Sequence, residues 1–199
     1  MEKLYFITSN KAKVASLQEY FAKADLNIKI EGKNLSIVEP QANSVAEVSR
    51  IKALSAYNIL KAPLVVEDGG FTIDALNGFP GVYTRFILDS IGVDGILKLM
   101  EGVENRKCQF ISTTTFVNAE GEVSQFHRPG GSGEIALQRS TVSSEYMWSD
   151  IWYIFYDTAF KKTLSEFSKE ELFQLKHSNN ETDSLTFFVK WLKEELNKK

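Results

Sequence analysis

The 199-residue chain is poor in several features that would narrow its function at once. It has a single cysteine, Cys108, so no intrachain disulfide can form and the composition fits a reducing compartment. No apolar run is long enough to span a bilayer, and Tyr5-Phe6-Ile7 is too short for the apolar core of a signal peptide. Positive charge is not in excess: 23 Lys and Arg stand against 26 Asp and Glu, a net charge of −3. That balance argues against nucleic acid or an anionic membrane as a partner. Gly130-Gly131-Ser132-Gly133 lacks the Gly-Lys-Ser/Thr ending of a Walker A loop, so it reads as a turn entering a strand. What is present is 43% hydrophobic and 25% charged, the make-up of a cytoplasmic globular protein of one domain or two closely joined lobes.

The start of the chain reads as strand, polar turn and helix. Lys3-Leu4-Tyr5-Phe6-Ile7 is a short apolar run, Thr8-Ser9-Asn10-Lys11-Ala12-Lys13 is polar, and Val14, Leu17 and Phe21 recur at helical spacing. Small polar residues at such a turn cap the helix, whose first N–H groups make an anion site. Lys11 and Lys13 sit where cations oppose the helix dipole, a placement that an anionic ligand would compensate. Ile28-Lys29-Ile30 reads as a short edge strand, and Asn34 to Gln41 as an extended segment that Pro40 keeps out of helix. Asn43 or Ser44 can cap a helix from Val45 to Leu60, with Ile51, Leu54 and Ile59 as apolar positions and Lys52 among them. Pro63 ends it. A β–α–β unit with a right-handed crossover is expected across Asn34 to Val66.

Leu64-Val65-Val66 is a short β-branched run that reads as a strand buried on both faces, followed at once by Glu67-Asp68-Gly69-Gly70. Ligands in open α/β sheets sit beyond the carboxyl ends of strands, so two acids beside two glycines suggest a metal-assisted site in the loop after this strand. Beyond it, Gly92 to Met100 reads as helix. Cys108 to Asn118 and Val123 to His127 read as a hairpin-like pair of strands. Tyr146 to Tyr156 is rich in aromatics around Asp150, a combination that can stack on a base but more often forms core. Ser168-Lys169-Glu170-Glu171 is a capping box, His177 to Asn180 a break, and Leu185 to Leu196 an amphipathic helix.

These residues together resemble the inosine triphosphate pyrophosphatase family, enzymes that hydrolyse non-canonical purine nucleoside triphosphates. The family's Thr-x-Asn-x-x-Lys opening stands as Thr8, Asn10 and Lys13, its acid followed by Gln as Glu39 and Gln41, and its helix lysine as Lys52. Its central Val-Glu-Asp-Ser/Thr-Gly-Leu signature stands as Val66 to Phe71, with Ala75 to Tyr83 matching the stretch that follows. The likeness runs from Leu4 to about His177 and is densest between Pro63 and Phe86.

The resemblance implies an elongated, two-lobed α/β fold, residues 1–199 forming one domain around a nucleotide cleft, with a mixed, twisted central sheet flanked by helices. It implies a homodimer that requires Mg²⁺, held by Glu39, Glu67 and Asp68, with Asp68 also activating water. The implied substrate-binding set is Thr8, Ser9, Asn10, Lys11, Lys13, Lys52, Gly69, Trp148, Asp150 and His177. The chain departs from the pattern mainly in its last third. Gly69 replaces a small hydroxyl residue, and Met147-Trp148-Ser149-Asp150-Ile151 keeps only the acid of a Phe-Gly-Tyr/Trp-Asp-Pro motif. Leu172 and Ser178 stand where a phosphate-binding Lys and a base-side Arg are expected, and Lys169 or Lys176 could compensate. The reading is a Mg²⁺-dependent pyrophosphohydrolase converting ITP, dITP and XTP to monophosphate and pyrophosphate. The alternatives are a pyrophosphatase for a different or modified nucleotide, or a catalytically weak relative that binds a nucleotide or partner.

Overall fold

The computed structural model describes residues 1–38, 40–178 and 183–198, without the side chains of 176–178. Its strands are β1 (Lys3–Ile7), β2 (Lys29–Lys33), β3 (Leu64–Ile73), β4 (Pro80–Gly81), β5 (Lys107–Val117), β6 (Val123–Ile135), β7 (Phe155–Asp157) and β8 (Lys162–Thr163). The α-helices are α1 (Lys11–Lys23), α2 (Val45–Leu60), α3 (Thr84–Ser90), α4 (Gly92–Leu99), α5 (Lys169–Ser178) and α6 (Ser184–Asn197). The strands hydrogen-bond in the order β2-β1-β3-β5-β6-β7-β8, with β4 on β3. β1 pairs in parallel with both β2 and β3, while β3–β4, β6–β7 and β7–β8 are antiparallel. The expected mixed sheet flanked by helices is therefore present. No described helix is long and apolar enough to cross a membrane.

Two compact units divide the chain. The first holds Met1–Gly69, Ser112–Arg128 and Thr182–Lys199, and the second Gly70–Ile111 and Pro129–Glu181. In the first unit, strand alternation builds two cores. Leu4, Phe6 and Val65 point to one face, where they meet Leu17 and Phe21 of α1 and Leu185, Phe188 and Leu192 of α6. Tyr5, Leu64 and Val66 point to the other, against Ala53 and Ala56 of α2. Burying a Leu or Phe side chain contributes roughly 1.5–3 kcal/mol, so the α1–α6 layer is a major source of stability. Gly32 sets how closely α1 approaches β2: a Cβ there would lie 2.7 Å from Val14 Cγ2.

Local chemistry explains the helix ends. Asn10 caps α1, its Oδ1 accepting from the N–H groups of Ala12 at 2.9 Å and Lys13 at 3.2 Å. Ser44, rather than Asn43, caps α2 by accepting from Glu47 N at 3.1 Å, and the helix ends at Lys61 in the left-handed region, two residues before Pro63. The capping box at α5 is formed: Ser168 N donates to Glu171 Oε2 at 2.8 Å and Glu171 N to Ser168 Oγ at 3.2 Å. α5 continues through His177 and Ser178, so the expected break does not begin there. Its remainder, Asn179 and Asn180, lies outside the described residues.

Other expectations need correction. Asn34 to Gln41 contributes no strand among its described residues, so α2 instead connects β2 to β3. Of the apolar positions of α2, Ile51 and Ile59 are exposed, and the face it buries is that of Val45, Val48, Ser49, Ala53 and Ala56. Small residues let the helix lie close to the sheet. Gly130 to Gly133 form no turn; they lie inside β6. The reason is steric. A Cβ on Gly130 would meet Phe110 Cβ at 2.9 Å, and one on Gly133 would meet Tyr156 O at 2.5 Å.

The second unit has its own core, in which Phe71, Ile73, Ile96, Met100, Ile151 and Phe155 are buried together. Much of the aromatic stretch belongs to it: Trp152 and Phe155 are buried, while Tyr146 and Trp148 remain exposed. Because Gly133 faces a backbone carbonyl that cannot easily yield, Gly133→Ala should lower stability by about 1–3 kcal/mol, measured by urea denaturation. A surface glycine such as Gly131, whose added Cβ meets nothing within 4 Å, should tolerate the same change and serves as the control.

Candidate active site

The acid pair does not lie in a loop. Glu67 and Asp68 occupy the middle of β3, which runs on through both glycines to Ile73. They are nevertheless at a strand end, that of β1. Tyr5 pairs with Leu64 and Phe6 with Val65, and β1 stops at Ile7. Continuing that register brings the Thr8-Ser9-Asn10 turn alongside Glu67 and Asp68. The carboxyl end of β1 is thus where the polar turn and the acids converge, the position at which α/β sheets receive ligands.

Alternation along β3 sends the two carboxylates to different faces, and each meets a lysine from the helix on that face. Val65 and Glu67 share the α1 face, where Lys13 Nζ lies 2.9 Å from Glu67 Oε2. Val66 and Asp68 share the α2 face, where Lys52 Nζ lies 2.8 Å from Asp68 Oδ2. The side chains of Glu67 and Asp68 are 13% and 19% exposed, enough burial for each pair to be felt and enough access for a ligand. Asp68 Oδ1 also accepts from Gly69 N at 3.2 Å, which orients the carboxylate.

The turn is tied to itself. Asn10 N donates to Thr8 Oγ1 at 3.0 Å, and Asn10 Oδ1 is occupied by its capping bonds, so the amide NH₂ is the part of this side chain that the cap does not use. α1 has no acidic residue in its first turn. Lys13 is answered by Glu67, whereas Lys11 is exposed and lines a cavity of about 420 Å³ with Thr8, Ser9, Gln18 and Asn34. The first unit therefore brings Thr8, Ser9, Asn10, Lys11, Lys13, Lys52, Glu67, Asp68 and Gly69 to one end of its sheet.

The remaining expected residues divide otherwise. Glu39 and the side chain of His177 lie outside the described residues. Trp148 and Asp150 belong to the second unit. Trp148 is 66% exposed and rests on Phe110 with ring centroids 5.5 Å apart and on Trp152 at 6.0 Å. Asp150 is exposed and opens the 3₁₀ turn Asp150–Tyr153, with Ser149 Oγ accepting from Ile151 N. Leu172, standing where a lysine was expected, packs against the core of that unit, and its neighbour Glu171 holds Lys162 Nζ at 2.7 Å. That ammonium group and the Ser168 N–H hold the Glu171 carboxyl below its ordinary range.

Fold and site define an α/β protein that sets two carboxylates and two lysines beside the Asn10-capped start of a helix. The chain belongs to the Ham1 family, whose model matches residues 4–186. It is 34% identical over 194 residues to a dITP/XTP pyrophosphatase of Methanopyrus kandleri, covering 96% of each chain. It is 30% identical over 203 residues to a dITP/XTP pyrophosphatase of Thermococcus kodakarensis, covering 98% of this chain and 99% of the other. The fold is shared with the Ham1 protein of Staphylococcus aureus, at a TM-score of 0.78 and 21% identity over 97% of this chain and 99% of that one. A HAM1 protein from Coxiella burnetii superposes with a TM-score of 0.76 and 21% identity over the whole of both chains.

Sequence reasoning missed a buried polar group behind the lysine: Ser49, Thr113 and Thr115 are all fully buried. A serine inside an otherwise apolar and small helix face, and a Ser-Thr-Thr-Thr run inside a strand, were the available signals. The Lys52–Asp68 pair is partly buried, so Lys52→Met and Asp68→Asn should be coupled by about 1 kcal/mol in a double-mutant cycle of urea unfolding. Strict additivity would mean the pair contributes nothing in solution.

Proposed function

We propose that this chain is a Mg²⁺-dependent nucleoside triphosphate pyrophosphohydrolase that converts ITP, dITP and XTP to the monophosphate and pyrophosphate. It is an enzyme, a hydrolase of phosphoric anhydride bonds. The observation that carries this reading is the pair of carboxylates, each matched with a lysine, at the carboxyl end of β1 beside the Asn10-capped helix. The names of the relatives from Methanopyrus kandleri and Thermococcus kodakarensis support it.

The residues suit a hard divalent cation. Glu67 and Asp68 offer only oxygen donors, and Mg²⁺ is commonly held by one or two carboxylates together with substrate phosphates. Among the described residues no cluster of three or more His, Cys, Asp or Glu forms an all-protein cage. Glu39 would be a third ligand. Bound there, Mg²⁺ would supply Lewis-acid stabilisation of the phosphates.

The chain's own groups do the rest. Thr8, Ser9, Asn10 and Lys11 receive the phosphate chain at the start of α1, where the helix dipole favours negative charge. Lys13 and Lys52 turn from carboxylate to phosphate oxygens and offset the charge that grows on the leaving pyrophosphate. Asp68, fixed by Gly69 N, orients a water in line with the α-phosphorus and takes its proton. Water supplies the new P–O bond, the α–β anhydride bond breaks, and no covalent enzyme intermediate is needed. By the family resemblance, Trp148, Asp150 and His177 are the residues assigned to the base. The loss of the expected lysine at Leu172 favours a second reading, in which the preferred base or triphosphate is a different or modified one.

The chain acts as a homodimer in this reading, supported by the exposed apolar side chains of Phe86 on α3, Leu99 on α4 and Ile91 between the two helices. Light scattering giving a monomer mass at assay concentration would remove the dimer alone. Pyrophosphate release, followed for a panel of nucleoside triphosphates with Mg²⁺, should be fastest with ITP, dITP or XTP. Chelation of the metal should abolish it, and Asp68→Asn should slow it by roughly 10²–10⁴-fold. Release from none of the panel would sink the proposal.

A further inference from the structure

α2 is held towards its ends, where Val45 and Val48 are buried and the Tyr57 hydroxyl donates to Ala119 O at 2.8 Å, but it presents little to lock its middle. The side chains it buries around its middle are Ser49, Ala53 and Ala56, and alanine methyl groups make shallow knobs over which a helix can slide or rotate. Yet Lys52, carried by the same turns, meets Asp68 at a hydrogen-bond distance of 2.8 Å. A directional contact nearer to Lys52 than the Tyr57 bond would set the middle of the helix.

Ser49 supplies it. The residue is fully buried, and its Oγ lies 2.7 Å from Thr115 Oγ1, 3.3 Å from Thr113 O and 3.5 Å from Val66 O. Gln125 Nε2 donates both to Thr115 Oγ1 and to Ala46 O, each at 2.9 Å, so its amide can stand only one way. With Thr115 Oγ1 accepting there, its hydroxyl donates to Ser49 Oγ, and Ser49 in turn donates to the carbonyl of Thr113. This is the arrangement in which every hydroxyl hydrogen has an acceptor. The chain of bonds ties α2 to β6, to β5 and, at the limit of reach, to β3 two residues before Asp68. Lys52 follows Ser49 by three residues, about 4.5 Å along the helix axis. The anchor and the functional lysine therefore move together.

We propose that Ser49, held by Thr115 and Gln125, is a positioning residue that fixes the axial and rotational setting of α2 so that Lys52 meets Asp68. The inference rests on the proposed hydrolysis only for its kinetic readout. In such a network each member is needed, because a half-satisfied buried hydroxyl is worse than none.

The test uses the full chain with two variants. Ser49→Ala removes the anchor, and Thr115→Val removes the hydroxyl that holds it while keeping its shape. Each folded variant should lose about tenfold in kcat for pyrophosphate release with KM nearly unchanged, since a small misplacement of a charged group weakens the reaction more than binding. The losses should not add when the two are combined, and Ser49→Ala should cause no further loss in a Lys52→Met background. A merely structural role would lower the melting temperature yet leave kcat intact below it and remain additive with Lys52→Met. Crystal structures of both variants give the readout without turnover: the Lys52 Nζ–Asp68 Oδ2 contact should be broken. Retention of that contact in Ser49→Ala, or in Thr115→Val if the first variant does not fold, overturns the proposal. A wild-type chain that releases no pyrophosphate overturns the hydrolase reading instead, and the crystallographic comparison then decides on Ser49 alone.

Discussion

The arrangement at the end of β1 depends on one constraint, the two-residue period of a β-strand. Because successive side chains of β3 face opposite ways, adjacent acids cannot both turn to the same helix. Glu67 shares its face with Val65 and faces α1, while Asp68 shares its face with Val66 and faces α2. The same alternation that divides the apolar core into two layers therefore divides the charge. Each lysine neutralises the acid that its own layer presents, and neither carboxylate is left buried without a counter-charge, which would be costly. Core and site are consequences of one pattern.

Several elements could be read from residues alone because their determinants are local. Ser44 and Pro63 bracket α2, and Ser168 with Glu171 marks the start of α5, as capping and proline chemistry dictate. The acids' place in mid-strand could not be read in this way. Two glycines after Asp68 end the β-branched pattern, yet pairing of Phe71 with Gly81 and of Thr72 with Pro80 carries the strand on. The buried face of α2 could not be read for a related reason. Helical periodicity identifies stripes but does not choose among them, and closeness to the sheet favoured the stripe of Ser49, Ala53 and Ala56. The glycines of β6 likewise serve neighbours distant in sequence, Phe110 and Tyr156, and so resembled a turn.

The candidate site was legible to the extent that its residues lie in the first unit. Thr8, Asn10, Lys13, Lys52, Glu67 and Asp68 come together through parallel pairing of β1 with β3, which the expected strand–helix–strand unit across Asn34 to Val66 did not include. The Lys13–Glu67 and Lys52–Asp68 pairings were not implied by sequence, since they follow from which helix covers which face. In the second unit the altered motif has been put to structural use. Leu172 adds to the apolar core, and Glu171 is engaged with Lys162 and Ser168 N. A residue that departs from the family pattern can thus be settled by its own surroundings.

The Thr8–Lys13 turn has a kinetic consequence. Its N–H groups at Asn10, Ala12 and Lys13 are already held by side chains of the turn itself, at 2.9 to 3.2 Å. The backbone conformation is prepaid by folding, so an anion docking there has little chain to order. A ligand docking at this turn, as proposed, would arrive without a search through loop conformations.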